Sequence, residues 1–82
     1  MQITLFKSPQ CPGCKTAEEL LLRKGIDFEV VDITKSQDAL DYLTSRGSMA
    51  VPSLQVNGQL VTGFRQQLWQ DTIESELERE RL

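Results

Sequence analysis

A chain of 82 residues allows one domain, residues 1–82, and a domain this small buries only roughly 60–65% of its unfolded surface, so its core must be economical. With 39% hydrophobic and 26% charged residues the composition is that of a soluble globular protein, and a net charge of −3 without a basic cluster argues against a nucleic-acid or membrane-surface role. No apolar run is long enough to span a bilayer, and Met1-Gln2-Ile3-Thr4 leads into a strand rather than a signal peptide, so a reducing cytoplasm is the expected compartment.

In chain order, Gln2–Phe6 alternates polar and apolar residues and reads as a strand, which Lys7-Ser8-Pro9-Gln10 breaks. From Pro12 to Lys24 the spacing is helical, with Ala17, Leu20 and Leu21 on one side and Gly25 placed to stop it. Asp27–Ile33 reads as a second strand, with Phe28, Val30, Val31 and Ile33 apolar. Strand, helix and strand of these lengths form a βαβ unit, so the two strands should run parallel. Ser36 is placed to cap a second helix running to about Arg46, with Ala39, Leu40 and Leu43 inward and Gly47 at its end. Beyond Val51-Pro52, Ser53–Val56 and Gln59–Thr62 flank Asn57-Gly58, a strong hairpin signal, and Gly63 ends the hairpin. Phe64–Leu82 returns to helical spacing, with Leu68, Trp69, Ile73 and Leu77 on one side. Its charged end, Glu74–Leu82, is expected to fray and to present a solvated face, with Glu76–Arg79 and Glu78–Arg81 spaced to pair. The order β-α-β-α-β-β-α predicts an α/β domain: a four-stranded mixed sheet with helices on both faces.

The chemistry is concentrated in Cys11-Pro12-Gly13-Cys14, which holds both cysteines of the chain. Two intervening residues let one helical turn bring both sulfurs to one face, so a disulfide can open and close with little backbone movement. Pro12 suits the first helical position, where its missing N–H is not needed. Cys11 then lies at the helix N-terminus, beside unpaired N–H groups and the positive end of the dipole, where a thiolate is favoured. That thiolate is the nucleophile of disulfide exchange, with Cys14 behind it to resolve the product. The chain has no histidine, so activation falls to the helix terminus and to Lys7, whose other reading is an ordinary solvated lysine. A metal or iron–sulfur module is the competing reading. Two cysteines without histidine do not complete a tetrahedral site, and a dimer would have to supply the rest.

The element order, the C-x-x-C after the first strand and Val51-Pro52 before the hairpin together resemble the thioredoxin fold in its minimal glutaredoxin form, over essentially the whole chain. The resemblance implies a thiol–disulfide oxidoreductase with Cys11 and Cys14 catalytic and no bound cofactor. It also implies a cis Val51–Pro52 bond against the cysteine pair, with the backbone of Val51 pairing with the client chain. Glutaredoxins usually carry a Gly-Gly-x-Asp type segment that captures glutathione. Here Val61-Thr62-Gly63-Phe64-Arg65 is instead similar to the Ser-Gly-Phe-Arg segment of the NrdH-redoxins, which take electrons from thioredoxin reductase and pass them to ribonucleotide reductase. Pro12-Gly13 departs from the Pro-Tyr of ordinary glutaredoxins and from the usual NrdH-redoxin pair. The partner-binding residues implied are Lys7, Pro12, Gly13, Val51, Pro52, Gly63, Phe64 and Arg65. The reductant is thioredoxin reductase or glutathione, and the client is ribonucleotide reductase or another disulfide-containing protein. A monomer is expected, and a glutathione-dependent glutaredoxin is the alternative.

Overall fold

The structure is a computed structural model and describes residues 2–81. The first alternating run forms strand β1 (Ile3–Lys7), followed by helix α1 (Pro12–Arg23) and strand β2 (Glu29–Asp32). β2 runs parallel to β1, from Thr4 opposite Glu29 to Lys7 opposite Asp32. Helix α2 (Gln37–Ser45) leads to strand β3 (Ser53–Val56), antiparallel to β1 on its other side, and a hairpin returns as strand β4 (Gln59–Thr62). Helix α3 (Gln66–Arg81) completes the described chain. The sheet is four-stranded and mixed, in the order β2-β1-β3-β4, the thioredoxin-like arrangement expected from the sequence.

Strand alternation divides the core between the two faces. Ile3 and Leu5 of β1 join Leu54 and Val56 of β3 under α1 and α3, which contribute Ala17, Leu20, Leu21, Trp69 and Ile73. Thr4 and Phe6 point the other way, and Phe6 packs on Ala39 and Leu43 of α2. Lys7 continues the Ile3, Leu5 series, so its side chain emerges on the α1 face, just past the end of the core.

Several boundaries differ from the sequence reading, each for a local reason. β1 is shifted by one residue, because Lys7 still pairs with Asp32. β2 covers Glu29–Asp32 rather than Asp27–Ile33, because it is an edge strand and pairs only with Thr4–Lys7. Its Val30 lies opposite Leu5 but is 43% exposed, since α1 and α3 cover the sheet centre and not this edge. Leu68 leaves the predicted apolar side of α3 and is 41% exposed, whereas Thr72 and Glu76 take buried positions beside Trp69 and Ile73. α3 starts at Gln66, after Phe64 and Arg65, and its predicted last residue, Leu82, lies outside the described residues.

The far end of α3 is tied down rather than frayed, and Asn57 is the reason. Asn57 (φ 55°) and Gly58 (φ 117°) supply the two left-handed residues of the hairpin turn. The Asn57 amide donates to the Gln2 carbonyl at 2.8 Å, and its Oδ1 accepts from the Gln2 amide at 2.8 Å. Its Nδ2 donates to Glu76 Oε1 at 3.2 Å and to Glu80 Oε2 at 3.1 Å. Glu76, only 5% exposed, also accepts from Arg79 at 3.2 Å, so it is a buried, satisfied carboxylate and not part of a solvated face. The Glu78–Arg81 pair forms as spaced, at 3.5 Å in solvent, where such pairs contribute little.

The turn between β2 and α2 rests on Asp32. Its Oδ1 accepts from the Thr34 hydroxyl at 2.6 Å and the Thr34 amide at 2.9 Å. These bonds, the hydroxyl first, hold its carboxyl below the usual aspartate range, and Lys35 and Lys7 add to the effect. A depressed folded-state value means that the stabilisation is complete above the unfolded aspartate value. It is lost as pH falls through the lower folded value. Thermal melts should therefore find the wild type more stable than Asp32→Asn at pH 6, with the gap closing below about pH 4. A gap that stayed constant down to pH 2 would count against this role.

Candidate active site

The carboxyl end of β1 delivers the chain, through Ser8–Gln10, to the N-terminus of α1, where open α/β sheets place reactive groups. Cys11 is the N-cap residue (φ −100°, ψ 109°), Pro12 occupies the first helical position, and the Cys11 side chain makes no capping hydrogen bond. The Cys14 amide donates to the Cys11 carbonyl at 3.3 Å. Pro12 has no amide hydrogen, so the Gly13 N–H is the open donor of this first turn.

Cys11 and Cys14 are joined in a disulfide, with Cα atoms 5.4 Å apart, a separation at which the bond forms without moving the backbone. The two sulfurs differ in access. Cys11 is partly exposed, whereas Cys14, on the buried face of α1 with Ala17 and Leu21, is 4% exposed. The arrangement therefore has an outer sulfur at a helix N-terminus and an inner one held behind it.

The Val51–Pro52 bond is cis. Pro52 is buried directly before β3, and a Cβ built on Gly13 would lie 3.6 Å from its Cδ, an ordinary contact. The cysteine turn and the proline wall are thus adjacent. Ser53, fully buried, donates its hydroxyl to the Ala50 carbonyl at 2.6 Å and so holds the loop that carries Val51. Thr62 is paired with Ser53, so Gly63 follows at the same end of the sheet as Pro52. Gly63 (φ 76°) turns the chain out of β4, and its carbonyl accepts from Trp69 Nε1 at 3.0 Å. Phe64 meets the Trp69 ring edge-on at 4.9 Å, and Arg65, exposed, opens α3 by accepting from the Trp69 amide at 2.8 Å.

Lys7 lies on the opposite flank of the disulfide. Its Nζ is 3.4 Å from Glu18 Oε1. Both line a shallow depression along α1 that also includes Cys11, Cys14 and the exposed Leu22. Lys7 therefore shares this depression with the two cysteines while its ammonium is engaged with a carboxylate. The structure thus brings Lys7, Pro12, Gly13 and Pro52 to the cysteine turn, with Val51 preceding Pro52 and Gly63 at the same end of the sheet, while Phe64 packs on Trp69 and Arg65 is exposed at the start of α3. Sequence reasoning missed Glu18, Ser53 and the Trp69 N–H. Glu18 alone left a signal, standing one helical turn after Cys14.

With this geometry in place, comparison with known proteins is specific. The glutaredoxin family model matches residues 3–61. Gene 56 protein of Mycobacterium phage L5 is 37% identical over 51 residues, which are 61% of this chain and 50% of the phage protein, so the chain spans about half of that relative's length. The glutaredoxin-like protein NrdH of Salmonella typhimurium is 28% identical over 65 residues, 79% of this chain and 80% of that one. Among solved structures, the glutaredoxin-like NrdH-redoxin of Escherichia coli superposes with a TM-score of 0.74 at 25% identity, covering 79% of this chain and 86% of that one. A cysteine pair on the first helical turn, a cis-proline beside it and a family match over most of the sheet converge: the chain belongs to the glutaredoxin family and is a thiol–disulfide oxidoreductase.

Proposed function

We propose that the chain is an NrdH-type redoxin, a monomeric dithiol carrier of the cytoplasm that takes electrons from thioredoxin reductase and delivers them to ribonucleotide reductase. The observation that carries this reading is the Gly63-Phe64-Arg65 segment. The first turn of α3 beyond it holds no acidic residue, so no carboxylate is offered there to the amino group of glutathione. The likeness to NrdH proteins supports the same choice, and the E. coli relative is described as having a thioredoxin-like activity profile.

In the proposed cycle the Cys11 thiolate attacks one sulfur of the client disulfide, and the other client sulfur leaves as a thiolate. Cys14 then gives up its proton and attacks Cys11 Sγ. The second client sulfur departs, and the Cys11–Cys14 disulfide re-forms with two electrons passed on. Val51, whose backbone makes no backbone hydrogen bond among the described residues, pairs with the extended client chain, and Pro52 walls the site. The redox equivalent is the disulfide itself, with no bound cofactor.

NADPH consumption tests this directly, with thioredoxin reductase in one arm and glutathione plus glutathione reductase in the other. Turnover with thioredoxin reductase, coupled to reduction of the ribonucleotide reductase disulfide, is expected. Efficient turnover with glutathione alone overturns the NrdH assignment in favour of a glutathione-dependent glutaredoxin. A visible absorption band on the purified protein would point instead to a cluster-carrying module.

A further inference from the structure

We propose that Glu18 sets the ionisation of the Cys11 thiol by competing with it for the Lys7 ammonium. Strand alternation sends Lys7 out on the α1 face at the end of β1, and Glu18 stands one helical turn beyond Cys14, so the two meet at 3.4 Å in the depression that both cysteines also line. Both side chains are 35% exposed, which keeps their charges in solvent contact and available to rearrange. The charged groups of this depression are Lys7, Lys15, Glu18 and Glu19, two of each sign. Asp32, level with Lys7 on the neighbouring strand, adds a further anion that senses Lys7.

In the disulfide state neither sulfur is charged, and Lys7 answers only to the carboxylates, Glu18 in direct contact and Asp32 at longer range. Reduction adds two electrons and two protons across the Cys11–Cys14 bond. Loss of the Cys11 proton then puts one more negative charge into the depression. Lys7 must now serve both the thiolate and Glu18. Glu18 therefore withholds part of the stabilisation that Lys7 would otherwise give, and leaves the helix N-terminus to carry most of it. Because the thiolate belongs to the reduced form, anything that disfavours it also makes the protein a stronger reductant.

The signs follow. Glu18→Gln releases Lys7, so the Cys11 ionisation constant should rise roughly threefold for one charge acting across a hydrated depression. Lys7→Met leaves Glu18 uncompensated and should lower the constant by a similar factor. The double variant should return close to wild type. If the factor carries over in full, the same ratio is about 14 mV in a two-electron potential, less negative for Glu18→Gln and more negative for Lys7→Met.

The inference builds on the dithiol chemistry but fails separately from it. Iodoacetamide alkylation rate against pH, in a Cys14→Ser background, reads the Cys11 ionisation constant. Equilibration with a glutathione buffer, with both cysteines present, reads the potential. Opposite shifts in the two single variants, shrinking between about 0.01 M and 1 M salt, are the expected result. Shifts in the same direction, or unchanged pH profiles accompanied only by lower melting temperatures, would mean that the pair is merely a structural tie and would overturn the inference. A wild type unable to reduce insulin disulfides would overturn the exchange chemistry, while the alkylation profile would still decide the role of Glu18.

Discussion

Cys11→Ser should abolish disulfide reduction, lowering the rate of insulin-disulfide cleavage by at least about a thousandfold. A serine hydroxyl is not ionised near neutral pH, and the helix terminus that favours a thiolate cannot make up that difference. The structure gives the two cysteines unequal parts, because Cys11 is partly exposed at the helix N-cap and Cys14 is 4% exposed on the buried face. Cys14→Ser should accordingly leave the first attack intact and stop the second. Mixed disulfides between Cys11 and client proteins should then accumulate, visible by mass spectrometry as reductant-sensitive adducts. Full insulin reduction by the Cys11→Ser protein, or trapping through Cys14 instead of Cys11, would reverse the assignment of nucleophile.

Much of this site was legible in the sequence because its chemistry is local. A proline at the first helical position, two cysteines one turn apart and a strand ending just before them place a sulfur on a helix N-terminus with no tertiary information. The hairpin was equally local, since Asn57-Gly58 supplies two left-handed residues in succession. What escaped depended on which strand became an edge and on long-range partners. Val30 has the pattern of a buried strand residue, yet on edge strand β2 its side is left exposed, whereas Val31 next to it packs against the α2 cluster. Glu76 has the pattern of a solvated helix charge, but the hairpin turn folds over it and Asn57 satisfies its carboxylate. Lys7 read either as a stabiliser of the Cys11 thiolate or as a solvated lysine, and only the packing of α1 beside β1 revealed Glu18 as its partner. In each case the one-dimensional pattern was correct about the element and silent about what covered it.

Trp69→Ala should be the most destabilising single change on the α1/α3 face. Trp69 is fully buried, in contact with a core that includes Leu5, Leu21 and Leu54. Truncating a buried tryptophan costs about 3–5 kcal/mol once the cavity is counted. A domain of 82 residues has only roughly 4–12 kcal/mol in total. The melting temperature should fall by about 15–30 °C, with a matching loss in urea midpoint. Trp69→Phe separates packing from polarity. It keeps an aromatic ring under Phe64 but deletes the indole N–H that holds the Gly63 carbonyl at 3.0 Å. Its stability cost should be smaller, about 1–2 kcal/mol. Its larger effect should fall on partner reduction, because Gly63 and Phe64 lose the anchor that orients them at the Pro52 end of the sheet. A Trp69→Ala protein melting within a few degrees of wild type would show that α3 is held elsewhere. If Trp69→Phe reduced clients at the wild-type rate, the part proposed for the Gly63–Arg65 segment in partner recognition would not depend on that anchor.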